Sequence, residues 1–362
     1  MSNIPDSIKH KLERKLHLQQ YHPIEIIKKR IYDYFGPEYK KFDDLSHYVN
    51  VEDNFTKLLI AQDHPARSKS DTYYLDDQTV LRTHTSAHQN ELLSKGETKF
   101  LVTGDVYRKD EIDRHHYPIF HQMEGLSIVP DDVDPSDELK KVLSGLIEEL
   151  FPNHKYRIVD DYFPFTHPSY QIDLEYNGKW IEVLGSGVVR PEIMTNCGAP
   201  GKRAWAFGLG LERLAMKLFG IDDIRQFWSE DPEFLNQFKS YSIVKFQPYS
   251  KLKPVTRDVS LWINPKEINP QTKKWIKEND FYEICREAGG DMIESVSLFD
   301  SFLHPKKQCY SLGYHFTYSP PSKISNPGEF DALVTELDRR LCETLTMNLG
   351  ITIRSKSDTT NK

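Results

Sequence analysis

The chain has 362 residues, of which 38% are hydrophobic and 28% charged, with a net charge of −7. That composition is foldable and long enough for two domains; its acidic balance excludes the broad basic surface of a general nucleic-acid binder, so an RNA or DNA partner must meet a local basic face. No run of about 18 apolar residues is present to span a membrane, and Cys197, Cys285, Cys309 and Cys342 are too scattered for a CxxC zinc pair and read as reduced thiols.

The first twenty residues lack the apolar core of a secretory signal and carry Asp6 and Glu13, which suit a transit peptide poorly. The expectation is a chain that has lost a presequence or stays where it is made. Residues 23–35 predict a helix, with Pro23 in its first turn and Ile24, Ile27, Ile31 and Tyr34 at spacings of three and four. Between 72 and 130, short apolar runs (TYYL, FLVTGDVY, MEGLSIV) predict strands of a mixed or antiparallel sheet. Asp-Pro-Ser-Asp opens a helix over 134–151. Strands are expected at 156–163, 170–176 and 179–184, the last two joined by a Tyr-Asn-Gly hairpin turn. AWAFGLGLERLAMKLFG (204–220) runs from strand into helix.

Residues 221–250 read as a connector, and the pattern then restarts. Strands near 255–263, 292–300, 309–318 and 351–354, with helices near 270–288 and 328–348, follow the β-α-β-β-α-β order of a ferredoxin-like unit. The fold class expected is α+β, with a first domain at 1–240, a linker at 241–250 and a second domain at 251–362.

Two segments carry chemistry. In GDVYRKDEIDRHHYPIFHQMEG (104–125), a strand brings out Arg108, a charged loop turns at Asp110–His116, and a second strand returns with Phe120, Gln122 and Glu124 at period two on one face. An arginine fork can bridge two phosphate oxygens, and an aromatic plate can stack on a base. Alone, the segment reads equally as a surface hairpin with ion pairs. In FGLGLERLAM (207–216), Gly208 and Gly210 let the backbone run close under a flat ligand, and Arg213 projects from the first helical turn. The third glycine of a dinucleotide fingerprint and the GK[ST] of a P-loop are both missing. Alone, this is more often a glycine turn with an ion-paired arginine.

Together the two segments resemble the second and third signature motifs of class II aminoacyl-tRNA synthetases. LRTHTSAHQ (81–89), YPIFHQMEG (117–125), FPFT (163–166), AWAFGLGLERLAM (204–216) and SKLKPVTRDVSLWI (250–263) narrow the resemblance to phenylalanyl-tRNA synthetase of the mitochondrial, single-chain type. It covers nearly the whole chain. It implies a class II antiparallel sheet with flanking helices, a C-terminal ferredoxin-like anticodon-binding domain, ATP as substrate with Mg2+ bridging its phosphates, and phenylalanine and tRNA-Phe as partners. It further implies a monomer without membrane attachment, placed in the mitochondrial matrix.

The same resemblance assigns roles. Arg108 would hold the α-phosphate and the substrate carboxylate, and with Arg213 would be catalytic. Phe120 and Arg213 would sandwich adenine, and His116 and Arg213 would meet the outer phosphates or their metal. Asp110 stands where class II enzymes generally have a longer Glu. His84, Ser86, Gln122 and Glu124 would surround the ammonium and carboxylate of phenylalanine. Phe163 and Phe165, from alternate positions of one strand, would stack on its ring, with Ala206 as the floor. A hydrophobic floor rejects an added hydroxyl only about a hundredfold, so tyrosine misactivation is expected. No segment is long enough for an editing domain.

Other residues have plainer readings. His84 and His88 have HxxxH spacing without the HExxH glutamate, which argues against zinc. Trp180 and Trp262 are assigned to core. Glu182 and the EVLGSG glycines could flank the site, although for Ser186 a strand-end turn is equally good. In the second domain Lys251, Lys253, Arg257, Lys306, Lys307 and Lys323 are basic, and Trp262, Phe299, Phe302, Tyr310, Tyr314 and Phe316 would stack on bases if they faced outward. Competing readings are a non-catalytic RNA-binding relative, which should have lost Arg108, Glu124 or Arg213; a His-rich metal hydrolase; and a biotin or lipoate ligase, which predicts neither FPFT nor a second domain.

Overall fold

The structure, a computed structural model, describes residues 2–249 and 252–354. The end of the expected linker (250), Lys251 and the last eight residues of the expected second domain lie outside the described residues. Thirteen strands are found among those described: β1 (Lys40–Phe42), β2 (Tyr48–Asn50), β3 (Thr79–Leu81), β4 (Lys99–Tyr107), β5 (Ile119–Val129), β6 (Tyr156–Asp161), β7 (Thr166–Tyr176), β8 (Lys179–Val189), β9 (Arg203–Gly210), β10 (Val255–Ile263), β11 (Ile293–His304), β12 (Cys309–Tyr318) and β13 (Thr352–Ile353).

Seven of them form one sheet in the order β1-β4-β5-β9-β8-β7-β6. Its pairs are antiparallel except at one edge, where β1 runs parallel to β4. Of the mixed and antiparallel alternatives left open above, the sheet is the mixed one, by that single edge strand. One face of the sheet is covered by helices Pro23–Phe35, Pro135–Leu150 and Leu211–Phe219. Local chemistry starts each of the first two: the His22 ring accepts from the Ile24 N–H, and Asp134 accepts from the Ser136 and Asp137 N–H groups, with Pro at the next position in both. The third ends on Gly220 at φ +71°, a left-handed cap that glycine adopts without strain. Ile24, Ile27 and Ile31, then Leu139, Leu143 and Leu146, then Leu214 and Phe219 bury completely or nearly so against Met123, Trp205 and Leu209 of the strands. Truncating any one of these large side chains to Ala should cost about 2–5 kcal/mol.

Period two in β5 divides its side chains. Ile119, His121 and Met123 turn to the helices; Phe120, Gln122 and Glu124 turn to the other face, which the helices leave open.

The second unit has the strand order β11-β12-β10-β13, antiparallel throughout, with helices Glu278–Gly289 and Pro327–Leu349 on one face. Its core includes Leu261, Phe281, Tyr314, Phe316 and Leu341. The open face carries Trp262, Phe302, His304 and the pair Phe299–His315, whose rings stack at 4.0 Å. Of the aromatics in question, Tyr314 and Phe316 therefore face the helices, while Trp262, Phe299 and Phe302 face outward. The core assignment of Trp262 is corrected: the Lys307 and Arg354 cations lie over its ring on that open face. Trp180 is also not core. It is 43% exposed at the hairpin end of β8, where Arg157 lies across its ring at 4.5 Å.

Three expected elements differ. The TYYL segment is not a strand: Tyr73 is fully buried and its hydroxyl donates to Glu283 of the second unit, while Thr79–Leu81 supplies the strand instead. The helix expected from 270 begins at Glu278, after a loop in which Lys273 has a φ of +61°. The connector after 221 is not loose, because Phe227, Trp228, Phe234 and Phe238 are buried in the first core. No helix among the described residues is long and apolar enough to cross a membrane.

Candidate active site

Two cavities open on the uncovered sheet face and meet along their shared wall of Arg108, Gln122, Glu182, Gly185 and Gly208. Register explains the meeting. Glu124 lies opposite Gly208 and Gln122 opposite Gly210, and Gly185 of β8 lies opposite Gly208. A Cβ on Gly208 or Gly210 would point into open space, so glycine here keeps the floor low for a ligand.

The first cavity, about 270 Å³, holds all five residues expected for a nucleotide: Arg108, Asp110, His116, Phe120 and Arg213. The Arg108 guanidinium lies 5.2 Å from the Phe120 ring centre, and its Nε donates to the Thr83 carbonyl at 2.8 Å. Arg213 donates to the Glu182 carbonyl at 3.1 Å from an exposed position. Its neighbour Glu212 points the opposite way, into the core, where one carboxylate oxygen accepts from the His121 N–H at 2.8 Å and the other contacts His121 Nδ1 at 2.6 Å. Those two contacts tie the start of the Leu211–Phe219 helix to β5, and so fix the turn from which Arg213 enters the cavity that Phe120 also lines.

His116 contacts Asp113 Oδ2 at 2.8 Å through Nδ1, and this partner raises its pKa, burial opposing. A more cationic imidazole suits a phosphate. Asp110, Glu111 and His116 bring one ligand atom each within 4.8 Å of one another. The two carboxylates are the hard oxygen donors that Mg2+ takes. The His116 ring is committed to Asp113 and fits that ion less well.

The second cavity, about 340 Å³, holds all seven residues expected for phenylalanine: His84, Ser86, Gln122, Glu124, Phe163, Phe165 and Ala206. The Ser86 hydroxyl donates to Glu124 Oε2, while Oε1 is buried without a partner. Burial raises the Glu124 carboxyl to about 8, the Ser86 bond opposing. His84 is held neutral: burial lowers it to about 3, with the Arg108 charge adding to the effect. The backbone of Asn54 pulls the other way, from outside hydrogen-bonding geometry, so both ring nitrogens are unpartnered. Phe163 and Phe165 stack with ring centres 5.9 Å apart. They do so from the loop between β6 and β7, not from one strand as expected, since Pro164 between them cannot donate to a ladder. Gly185 makes room for them, because a Cβ there would sit 2.6 Å from the Phe163 ring.

Several lining residues were not foreseen. Gln89 is 2% exposed with its carbonyl oxygen unpartnered at the second cavity; it ends the LRTHTSAHQ string, which by itself gives it no role. Glu182 and Ser186, left open above, line the second cavity, although the Ser186 hydroxyl is spent on the Tyr170 carbonyl at 3.3 Å. His88 turns away from His84 to Arg82, at 3.0 Å from its Nη1.

The charged loop of residues 109–116 is clasped by the second unit. Arg286 donates to the carbonyls of Asp110 and Glu111, Arg114 bonds Glu294 at 2.7 Å, and Ile112 is buried in the second core.

An antiparallel sheet presenting two arginines, an aromatic plate and a buried carboxylate is the arrangement of a class II aminoacyl-tRNA synthetase core, and the family model described as "tRNA synthetases class II core domain (F)" matches residues 7–238. The chloroplastic/mitochondrial phenylalanine–tRNA ligase of Arabidopsis thaliana is 45% identical, over 98% of this chain and 83% of that protein. The mitochondrial phenylalanine–tRNA ligase of Mus musculus is 41% identical, over 88% of this chain and 79% of its own length. That of Dictyostelium discoideum is 40% identical over 96% and 89%. The chain belongs to the phenylalanine–tRNA ligase family of class II synthetases.

Proposed function

We propose that the chain activates L-phenylalanine with ATP, as phenylalanyl-adenylate, and transfers it to tRNA-Phe for mitochondrial translation, acting in the matrix as a monomer. The observation that carries this is the pair of cavities joined at Arg108 and Gln122, one with a phosphate and base site, the other with an aromatic pocket ending in a carboxylate.

In this reading the phenylalanine carboxylate attacks the α-phosphate and pyrophosphate leaves. Arg108 bridges the two reacting groups, and its charge gains value as the transition state spreads charge over the phosphate. Phe120 and Arg213 hold adenine, and Asp110 lines its cavity. Asp110 and Glu111 would hold Mg2+ beside the phosphates, where the ion would supply charge neutralisation for the leaving pyrophosphate. Glu124, Ser86 and Gln122 take the ammonium; His84 stands beside the carboxylate; Phe163, Phe165 and Ala206 enclose the ring. Alignment of two bound reactants supplies most of the rate, since no covalent bond to the protein is needed.

Residues 1–240 form the catalytic domain, 241–250 the linker and 251–362 a ferredoxin-like anticodon-binding domain. Support for the last is its β-α-β-β-α-β order and the open sheet face bearing Trp262, Phe299, Phe302 and His315, suited to stacking on unpaired bases. The deciding experiment is ATP–pyrophosphate exchange with each standard amino acid, parent against Arg108→Ala. Phenylalanine alone, with tyrosine far behind, should drive exchange, and the substitution should abolish it. A flat amino-acid profile would overturn the proposal.

A further inference from the structure

The short helical turn Ile224–Trp228 lies in the segment expected as a connector, and its two ends do different things. At its start, Ile224 is a wall residue of the nucleotide cavity, and its N–H donates to the Arg114 carbonyl at 2.9 Å. At its end, Trp228 lines neither substrate cavity and is 3% exposed. Its ring stacks on Tyr117, with centres 5.6 Å apart and planes at 22°, and on His121, at 5.9 Å and 25°. We propose that Trp228 is a positioning residue for ATP, holding from behind the stretch of chain that presents Phe120.

The inference rests on the reading above, in which the first cavity takes the nucleotide. Tyr117 is itself a wall residue of that cavity, three positions before Phe120. His121 follows Phe120 directly, with its fully buried ring on the helix-covered face of the sheet. One indole ring therefore backs both sides of the plate on which adenine would stack, and a plate displaced by about 1 Å loses much of its alignment. Trp228 is in turn fixed from the N-terminal segment. The Arg14 guanidinium lies 5.6 Å from its ring centre, and Arg14 Nη1 donates to its carbonyl at 2.6 Å. The indole Nε1 has no partner, so the ring acts through its faces and another flat ring can stand in for it. Neither Tyr117 nor Ile224 lines the aromatic cavity, so the effect of losing the ring falls on ATP rather than on phenylalanine. A side chain that merely filled the core would lower stability and leave the balance between the two substrates unchanged.

In pyrophosphate exchange well below the melting temperature, Trp228→Leu should raise KM for ATP about fivefold, the scale of one lost aromatic contact, with KM for phenylalanine within about twofold of the parent. Trp228→Phe should bring KM for ATP back to within about twofold of the parent. An unmoved KM for ATP, KM values for both substrates rising together, or a Phe variant no better than the Leu variant overturns the proposal and leaves Trp228 as core packing. Arg14→Ala removes the cation over the ring from a half-buried position, so it decides even where Trp228→Leu does not fold. It should raise KM for ATP about threefold with KM for phenylalanine unmoved, and no rise overturns the proposal. A parent chain without phenylalanine-dependent exchange would instead defeat the reading on which the proposal rests.

Discussion

If the phenylalanine ammonium pairs with Glu124 as proposed, binding should release a proton. Its carboxyl is buried, bonded only by Ser86 on one oxygen, and raised to about 8. At pH 7 only about 9% of the empty sites carry the charge that an ammonium needs. If phenylalanine binds the ionised form, the apparent Kd is the intrinsic one divided by that fraction. It should rise about fivefold from pH 8 to pH 7 and about ninefold more from pH 7 to pH 6, about fiftyfold in all. His84, held neutral down to about 3, does not titrate in this window. Calorimetric titration with phenylalanine at pH 7, in buffers of different ionisation enthalpy, should show release of about 0.9 proton per site. A Kd flat from pH 6 to 8.5 with no proton released would refute the reasoning.

The same residue makes a stability prediction of determinate sign. A carboxyl whose folded pKa is raised binds its proton in the folded chain at pH values where the unfolded chain has released it. The cost of keeping Glu124 is therefore absent below the unfolded value and grows, by about 1.4 kcal/mol per pH unit, until the pH passes about 8. Glu124→Gln should match the parent in melting temperature near pH 4.5 and exceed it increasingly towards pH 8, while losing phenylalanine-dependent exchange.

Gly185→Ala would place a Cβ against the Phe163 ring; KM for phenylalanine should rise about tenfold, roughly the 1.4 kcal/mol expected from displacing one stacked ring, with KM for ATP unchanged in exchange assays. Glu212→Ala leaves buried His121 without its carboxylate; about 3 kcal/mol of stability should be lost in denaturant melts, and KM for ATP should rise as the helix turn that carries Arg213 loosens. Ile112→Ser removes an apolar anchor from the second core; the charged loop should become cleavable in limited proteolysis before either unit unfolds. With Ala206 as the floor, tyrosine should be activated at about one-hundredth of the phenylalanine rate in exchange assays, and the chain should not hydrolyse Tyr-tRNA.

The site was legible in the sequence where its chemistry follows a strand period. Phe120, Gln122 and Glu124 share a face because alternate residues of a strand must, and the glycines of β9 opposite them sit beside the same cavities. The resemblance carried by FPFT points to Phe163 and Phe165, but not to how the chain holds them. Their alternation mimics a strand, but Pro164 cannot join a ladder, and the rings reach the pocket from a loop that Gly185 lets lie close. Trp180 and Trp262 were misplaced because hydrophobicity alone does not say which sheet face is covered; long cationic side chains, Arg157 over one and Lys307 and Arg354 over the other, shelter both rings outside the core. Gln89 ends the LRTHTSAHQ string, but only the cavity it faces shows that its side chain lines the site.

What the sequence concealed most completely is how the two units meet. The loop KDEIDRHH carries a single apolar residue among charges, and a lone apolar side chain in a surface loop is ordinary, so nothing there signals a cover. Ile112 is covered by the second core, with Arg286 holding the two carbonyls before it and Arg114 bonded to Glu294 beyond it. Asp110 and His116, which line the first cavity, therefore sit on a loop whose shape depends on the neighbouring unit. Holding that loop costs backbone entropy, about 1–2 kcal/mol per residue fixed, which neither unit offsets alone. The nucleotide cavity is thus a product of both units, although every residue lining it comes from the first.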